Sequence, residues 1–171
     1  MARPGPVYVS VIGGYDVDEG VLVAAEEVGR RLAEQGAIVV TGGRTGVSEA
    51  AAKGAFEAGG TTIGILPGRD RSEANPYLTV AVATGIGLTR NALVAMNGDA
   101  VIALDGAFGT LSELAHALLD GTPVIGIGTW ELHRPGDVQH GADAPVVNVR
   151  TAAEAVDAVF AVLGVPPITG R

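Results

Sequence analysis

Strand-length apolar runs, most of them closed by glycines, constrain the fold of this chain more than any other feature. Five of them recur: VYVSVIG (7–13), AIVVT (37–41), TTIGIL (61–66), DAVIAL (99–104) and PVIGIG (123–128). They are continuous rather than alternating, the pattern of strands buried on both faces of a parallel sheet. A sixth, less apolar run, LTVAVA (78–83), lies between the third and the fourth.

Helical patterns fill most of the gaps. Val21, Ala25, Val28 and Leu32 mark one face of a first helix that Gly36 closes. Residues 46–57 and 87–97 read as the next two. Leu111, Leu114, Ala115 and Leu118 give the apolar stripe of a fourth, which ends at Gly121 ahead of Pro123. A last helix is expected from about Ala152 to Leu163. Strands alternating with helices predict one α/β domain over residues 1–171, a doubly wound, mostly parallel sheet with helices on both faces.

Ligands of such sheets bind beyond the carboxyl ends of the strands, where strand order reverses. The glycines belong to that edge. IGG (12–14), TGGRTG (41–46), LPGRD (66–70) and LDGAFGT (104–110) each follow a predicted strand. Gly13, Gly42, Gly43, Gly106 and Gly109 are therefore candidate ligand contacts made through the backbone.

Composition narrows the ligand. A net charge of −8 disfavours a nucleic-acid footprint, which needs clustered Lys and Arg. The absence of cysteine excludes disulfides, thiol catalysis and Cys-ligated zinc. The opening MARPGPVYVSVIGG is neither a signal peptide nor a span, and no run reaches membrane length, so no membrane partner and a cytoplasmic location are expected. His133 and His140 fall in the loop 129–144 without metal-ligand spacing, and His116, one turn after Glu113, reads as a surface histidine, so no metal is expected. Neither G-x-G-x-x-G nor a P-loop is present, which disfavours a standard dinucleotide or ATP site, and no cofactor is expected.

Two stretches carry candidate chemistry. GAFGT (106–110) opens a helix, so its free N–H groups and the positive end of the dipole suit a phosphate, with Thr110 adding a hydroxyl. The competing interpretation makes Thr110-Leu-Ser-Glu113 a capping box. TAAE (151–154) has the same spacing without glycines and serves as an internal control. In GIGLTRN (85–91), Arg90 lies in an otherwise apolar helix whose start the preceding glycines put near the same rim. There it could be a surface residue, or it could stabilise phosphate or developing charge.

TGGRTGVSEAAAKGA, GILPGRDRSEANPY, TRNALVAMNGDAVIAL and DGAFGTLSELAHAL together resemble the LOG-like (Lonely Guy) Rossmann superfamily, over roughly residues 7–130. That superfamily was long labelled "possible lysine decarboxylase" and includes the molybdenum-cofactor carrier proteins. EANPY and GTLSE look most like the small bacterial branch near those carriers. The resemblance implies a Rossmann-like fold, a homodimer or larger homo-oligomer, and a small phosphorylated ligand, either a nucleoside monophosphate or a pterin-type molecule. LOG enzymes are phosphoribohydrolases that cleave the N-glycosidic bond of nucleoside 5′-monophosphates with a Pro-Gly-Gly-x-Gly-Thr-x-x-Glu motif and an arginine in the preceding helix. By resemblance Arg90 and Glu113 are the catalytic candidates, and Gly106, Gly109 and Thr110 form the phosphate loop. The carrier branch implies the alternative, binding without cleavage.

Asp105 stands where that motif has proline, and Ala107 where it has its second glycine. An added carboxylate opposes phosphate, and a Cβ at 107 restricts close approach or positive φ. The old decarboxylase label fails on the residues. Pyridoxal phosphate chemistry needs a lysine at the site, and the lone Lys53 falls in mid-helix.

Overall fold

The computed structural model of the chain describes residues 5–132 and 146–166. Among these residues seven strands form one sheet in the order β4-β3-β2-β1-β5-β6-β7, and every pairing is parallel. The strands are β1 Tyr8–Gly13, β2 Ile38–Thr41, β3 Thr62–Leu66, β4 Val80–Ala83, β5 Ala100–Leu104, β6 Val124–Ile127 and β7 Val146–Val149. The helices are α1 Glu19–Glu34, α2 Val47–Glu57, α3 Arg90–Met96, α4 Phe108–Asp120 and α5 Ala152–Leu163. This is the Rossmann-like α/β fold expected from the alternation of apolar runs and helical patterns.

Burial explains the continuous runs. Val9 and Val11 of β1 pack with α1, α2 and α5, while Ile12 packs on the opposite face with α3 and α4. Likewise, Ile102 and Leu104 of β5 turn to the first face and Val101 and Ala103 to the second. Both faces are covered, and all five positions of β5 are apolar and buried.

Four local readings change. The expected strand at 78–83 is present but shortened to the edge strand β4. β7 was not expected, because Asn148 breaks an already short run. The helix expected over 87–97 begins as a 3-10 turn at Gly87–Thr89 and becomes α-helical only at Arg90. On α4 the buried face is Thr110, Glu113, Leu114 and Ala117, and Ala115 is exposed. The inward face thus carries a carboxylate that the apolar stripe had hidden. His133 and His140 lie outside the described residues.

Strand order reverses between β1 and β5, so the connection after β1 leads one way and that after β5 the other. Their register pairs Gly13 with Leu104 at the carboxyl ends. A crevice opens there between the two glycine turns. No described helix is long and apolar enough to cross a membrane.

Candidate functional site

The crevice is a cleft of about 500 Å³. One wall is Ile12–Tyr15, the end of β1 and the turn after it. A second is Arg44, Thr45 and Ser48, where β2 turns into α2. The third comes from Leu88, Arg90 and Asn91 at the start of α3, and the fourth from Ala107, Gly109, Thr110 and Glu113 at the start of α4.

The helix ends favour an anion. Neither α2 nor α4 has a side-chain cap at its N-terminus. First-turn residues of both helices, Ser48 of α2 and Gly109 and Thr110 of α4, line the cleft, which places the positive ends of both dipoles beside it. Thr151 of the internal control does cap α5, accepting from Glu154 N at 3.2 Å. Thr110 does not play that part: α4 begins at Phe108, with Ala107 as its N-cap. The capping-box interpretation of Thr110–Glu113 is thus overturned, and Glu113 lies more than a turn inside the helix.

Glu113 instead faces Arg90. Arg90 Nη1 donates to Glu113 Oε1 at 3.4 Å, and their side chains are only 12% and 9% exposed. Burial raises the Glu113 carboxyl to about 7, against the opposing pull of the Arg90 charge. Burial also lowers Arg90 from its usual value, with Glu113 opposing and the nearby Arg44 guanidinium adding to the shift. The Arg90 Nε is buried without a hydrogen-bond partner. Two guanidinium groups and a carboxyl that can gain or lose a proton at neutral pH therefore share one cleft.

Of the glycines expected at a ligand, Gly13 and Gly109 line the cleft with Thr110, whereas Gly42, Gly43 and Gly106 are not among its lining residues. Gly42 makes room for Arg90: a Cβ there would lie 2.7 Å from Nη1 and 3.0 Å from Nη2. Gly106, at φ +114, folds over Thr110.

The loop also differs from what its two replacements suggested. Ala107 is extended at φ −100, so its Cβ is unstrained. Asp105 adopts φ +50, which proline cannot do but aspartate tolerates. Its carbonyl accepts from Thr129 Oγ1 at 2.6 Å, and the Ala107 carbonyl accepts from Trp130 Nε1 at 3.3 Å.

Several lining residues escaped the sequence reading, notably Tyr15, Arg44, Thr45, Ser48 and Asn91. Arg44 had a visible signal, a cation inside the TGGRTG turn. The EANPY stretch also finds a role. Asn75 is buried, its N–H donates to the Gly43 carbonyl at 3.0 Å, and its Nδ2 donates to the Arg44 carbonyl at 2.9 Å. It latches the turn that carries Arg44. Lys53 lies away from the cleft between α1 and α2, paired with Glu26 at 2.8 Å. That placement agrees with rejecting pyridoxal chemistry.

Residues 6–156 match the SLOG cluster4 family. The chain belongs to that family. As a member of the SLOG cluster4 family it is 30% identical to a cytokinin riboside 5′-monophosphate phosphoribohydrolase of Rhodococcoides fascians, across 91% of this chain and 86% of that protein. Among solved structures it resembles the molybdenum cofactor binding protein of Rippkaea orientalis, with a TM-score of 0.84 and 28% identity over 94% of this chain and 99% of the other. It also resembles the molybdenum cofactor carrier protein of Chlamydomonas reinhardtii, at TM-score 0.78 and 34% identity over 94% and 99%. The family resemblance drawn from the motifs agrees with all three.

Proposed function

We propose that this protein binds a nucleoside 5′-monophosphate in the β1/β5 cleft and hydrolyses its N-glycosidic bond, giving free base and ribose 5-phosphate. The observation that carries this reading is the buried Arg90–Glu113 pair, with a carboxyl at about 7, at the floor of an anion-suited cleft. The similarity to the Rhodococcoides phosphoribohydrolase supports it.

The phosphate occupies the end of the cleft near the first turn of α4, held by the N–H groups of Gly109 and Thr110 and by arginine charge from Arg90 and Arg44. As the bond from the sugar carbon to the base nitrogen lengthens, positive charge develops on the sugar ring, as in glycoside hydrolysis. The ionised Glu113 stabilises that charge and accepts a proton from the attacking water. The water oxygen bonds to the sugar carbon, the departing base takes the bonding electron pair, and the proton passes to the base. A base with a midpoint near working pH is suited to both halves of that transfer.

The second reading, a carrier that holds a phosphorylated pterin or nucleotide without cleaving it, is favoured by Asp105. Its positive φ gives the loop a shape that the LOG motif proline cannot take, and the Chlamydomonas carrier protein shares the fold at 34% identity. Incubation with AMP, followed by chromatography for adenine, separates the two. Release of adenine supports hydrolysis; AMP retained intact on the protein supports carriage.

A further inference from the structure

Arg90 and Glu113 sit on different helices, so their separation depends on what holds α3 against the first turn of α4. α3 has only seven residues, grows from a 3-10 turn without a side-chain cap, and begins at Arg90 itself. Its tie to the sheet, Ser10 Oγ donating to the Val94 carbonyl at 2.6 Å, lies a turn further along.

Asn91 makes the connection beside the pair. Its Nδ2 donates to the Gly109 carbonyl at 3.3 Å and to Ser112 Oγ at 2.9 Å. Ser112 Oγ donates in turn to the same Gly109 carbonyl at 2.7 Å, which closes a ring. A carbonyl oxygen can only accept, so the amide must present its nitrogen there, and the orientation of the side chain is set. Asn91 is 6% exposed, so water does not readily replace these bonds.

The ends of this bridge are the neighbours of the pair. Asn91 follows Arg90 directly, Ser112 precedes Glu113, and Gly109 lies one helical turn before it. We infer that Asn91 is a positioning residue whose bridge to Gly109 and Ser112 holds α3 against α4 and so fixes the Arg90–Glu113 separation. The inference rests on that pair being the working centre, yet the bridge is testable without turnover. A side chain that merely joined two helices would influence stability alone. One that sets the pair also sets the surroundings of the Glu113 carboxyl, on which Arg90 bears directly and Arg44 bears through Arg90.

The experiment is a carboxyl-carbon NMR titration of Glu113, assigned by loss of its signal in Glu113→Gln. It compares the wild type with Asn91→Ala, Ser112→Ala and Val94→Ala. The wild-type midpoint is expected at about 7. Cutting the bridge in Asn91→Ala admits water and lowers the midpoint by roughly one pH unit or more toward the ordinary carboxylate range. Ser112→Ala, which keeps the Asn91–Gly109 bond, moves it less in the same direction. Val94→Ala opens a cavity under α3 without touching the bridge, so it lowers Tm and leaves the midpoint in place. Wild-type midpoints in both bridge variants, or an equal shift in Val94→Ala, would overturn the inference. Should Asn91→Ala fail to fold, half-buried Ser112→Ala carries the test. Failure of the wild type to cleave AMP would count against the hydrolase and leave this titration unaffected.

Discussion

Arg90 and Glu113 face each other across α3 and α4 at 3.4 Å, both nearly buried, in a geometry looser than a tight ion pair. At that distance the arginine does not offset the burial of the carboxyl, and Glu113 is left with a midpoint of about 7. The pair is therefore poised between an ionised and a neutral state under ordinary conditions. Most of the protein's testable behaviour follows from that balance.

Removal of the arginine shifts it. In Arg90→Ala the carboxyl loses the one charge that lowers it, so its midpoint rises above the wild-type value. Ligand phosphate also loses a cation. The expected result is AMP binding weaker by about tenfold or more, on the scale of 1.4 kcal/mol per decade, measured by calorimetry at a pH where Glu113 is neutral in both proteins.

Stability should carry the same signature. Glu113 is raised from 4.5 unfolded to about 7 folded, so between those values the folded state keeps a proton that the unfolded state has released. Its contribution is fully present below 4.5 and is lost as pH rises through about 7. At about 1.4 kcal/mol per pH unit, the loss is on the order of 3 kcal/mol. Denaturant unfolding at pH 4.5 and pH 8 should show wild type falling relative to Glu113→Gln, which has no proton to lose. Parallel changes in the two proteins would show that Glu113 titrates normally.

Gly42 offers a way to disturb the pair while sparing the fold. A methyl group there would press on the Arg90 guanidinium at 2.7 Å, and the end of a long side chain can move aside. Gly42→Ala should cost no more than about 1 kcal/mol of stability while lowering AMP turnover by at least about tenfold. A variant as active as wild type would show that the Arg90 position is not critical.

Much of this was legible in the sequence, and the reasons differ by residue. The strands of a sheet covered on both faces are largely apolar, with a few small hydroxyl residues such as Ser10 and Thr41, so their runs announced both the fold and the rim where glycines collect. Arg90 stood out as a charge in an apolar helix, and Glu113 through the glycine-loop motif that precedes it. Their facing each other did not, because that depends on α4 starting at Phe108, one turn earlier than the Thr-x-x-Glu spacing suggests. Asn91 was hidden for a similar reason. An amide beside an arginine has no pattern of its own until a second helix brings a carbonyl to it.

Apolar side chains remain uncovered on the α3 side of the sheet. Val80 and Val82 on β4 are 46% and 42% exposed, and Leu93 and Met96 on α3 are 40% and 49% exposed. We propose that a second copy of the chain covers them, as such patches call for a partner. Light scattering should give a mass at least twice 17.1 kDa, and Leu93→Asp with Met96→Asp should reduce it to the monomer. A wild-type monomer at micromolar concentration would refute this assembly.

The most direct test of the Arg90–Glu113 centre is AMP turnover by wild type and Glu113→Gln, read beside AMP binding to the variant. Glutamine keeps the size and most hydrogen bonding of the side chain but cannot accept the water proton. Wild type is predicted to release adenine and ribose 5-phosphate, with kcat/KM rising with pH through about 7. The variant is predicted to bind AMP with near wild-type affinity and to lose turnover by about a hundredfold or more. Release of adenine by Glu113→Gln at the wild-type rate, or tight binding of AMP by wild type with no base released, would contradict it.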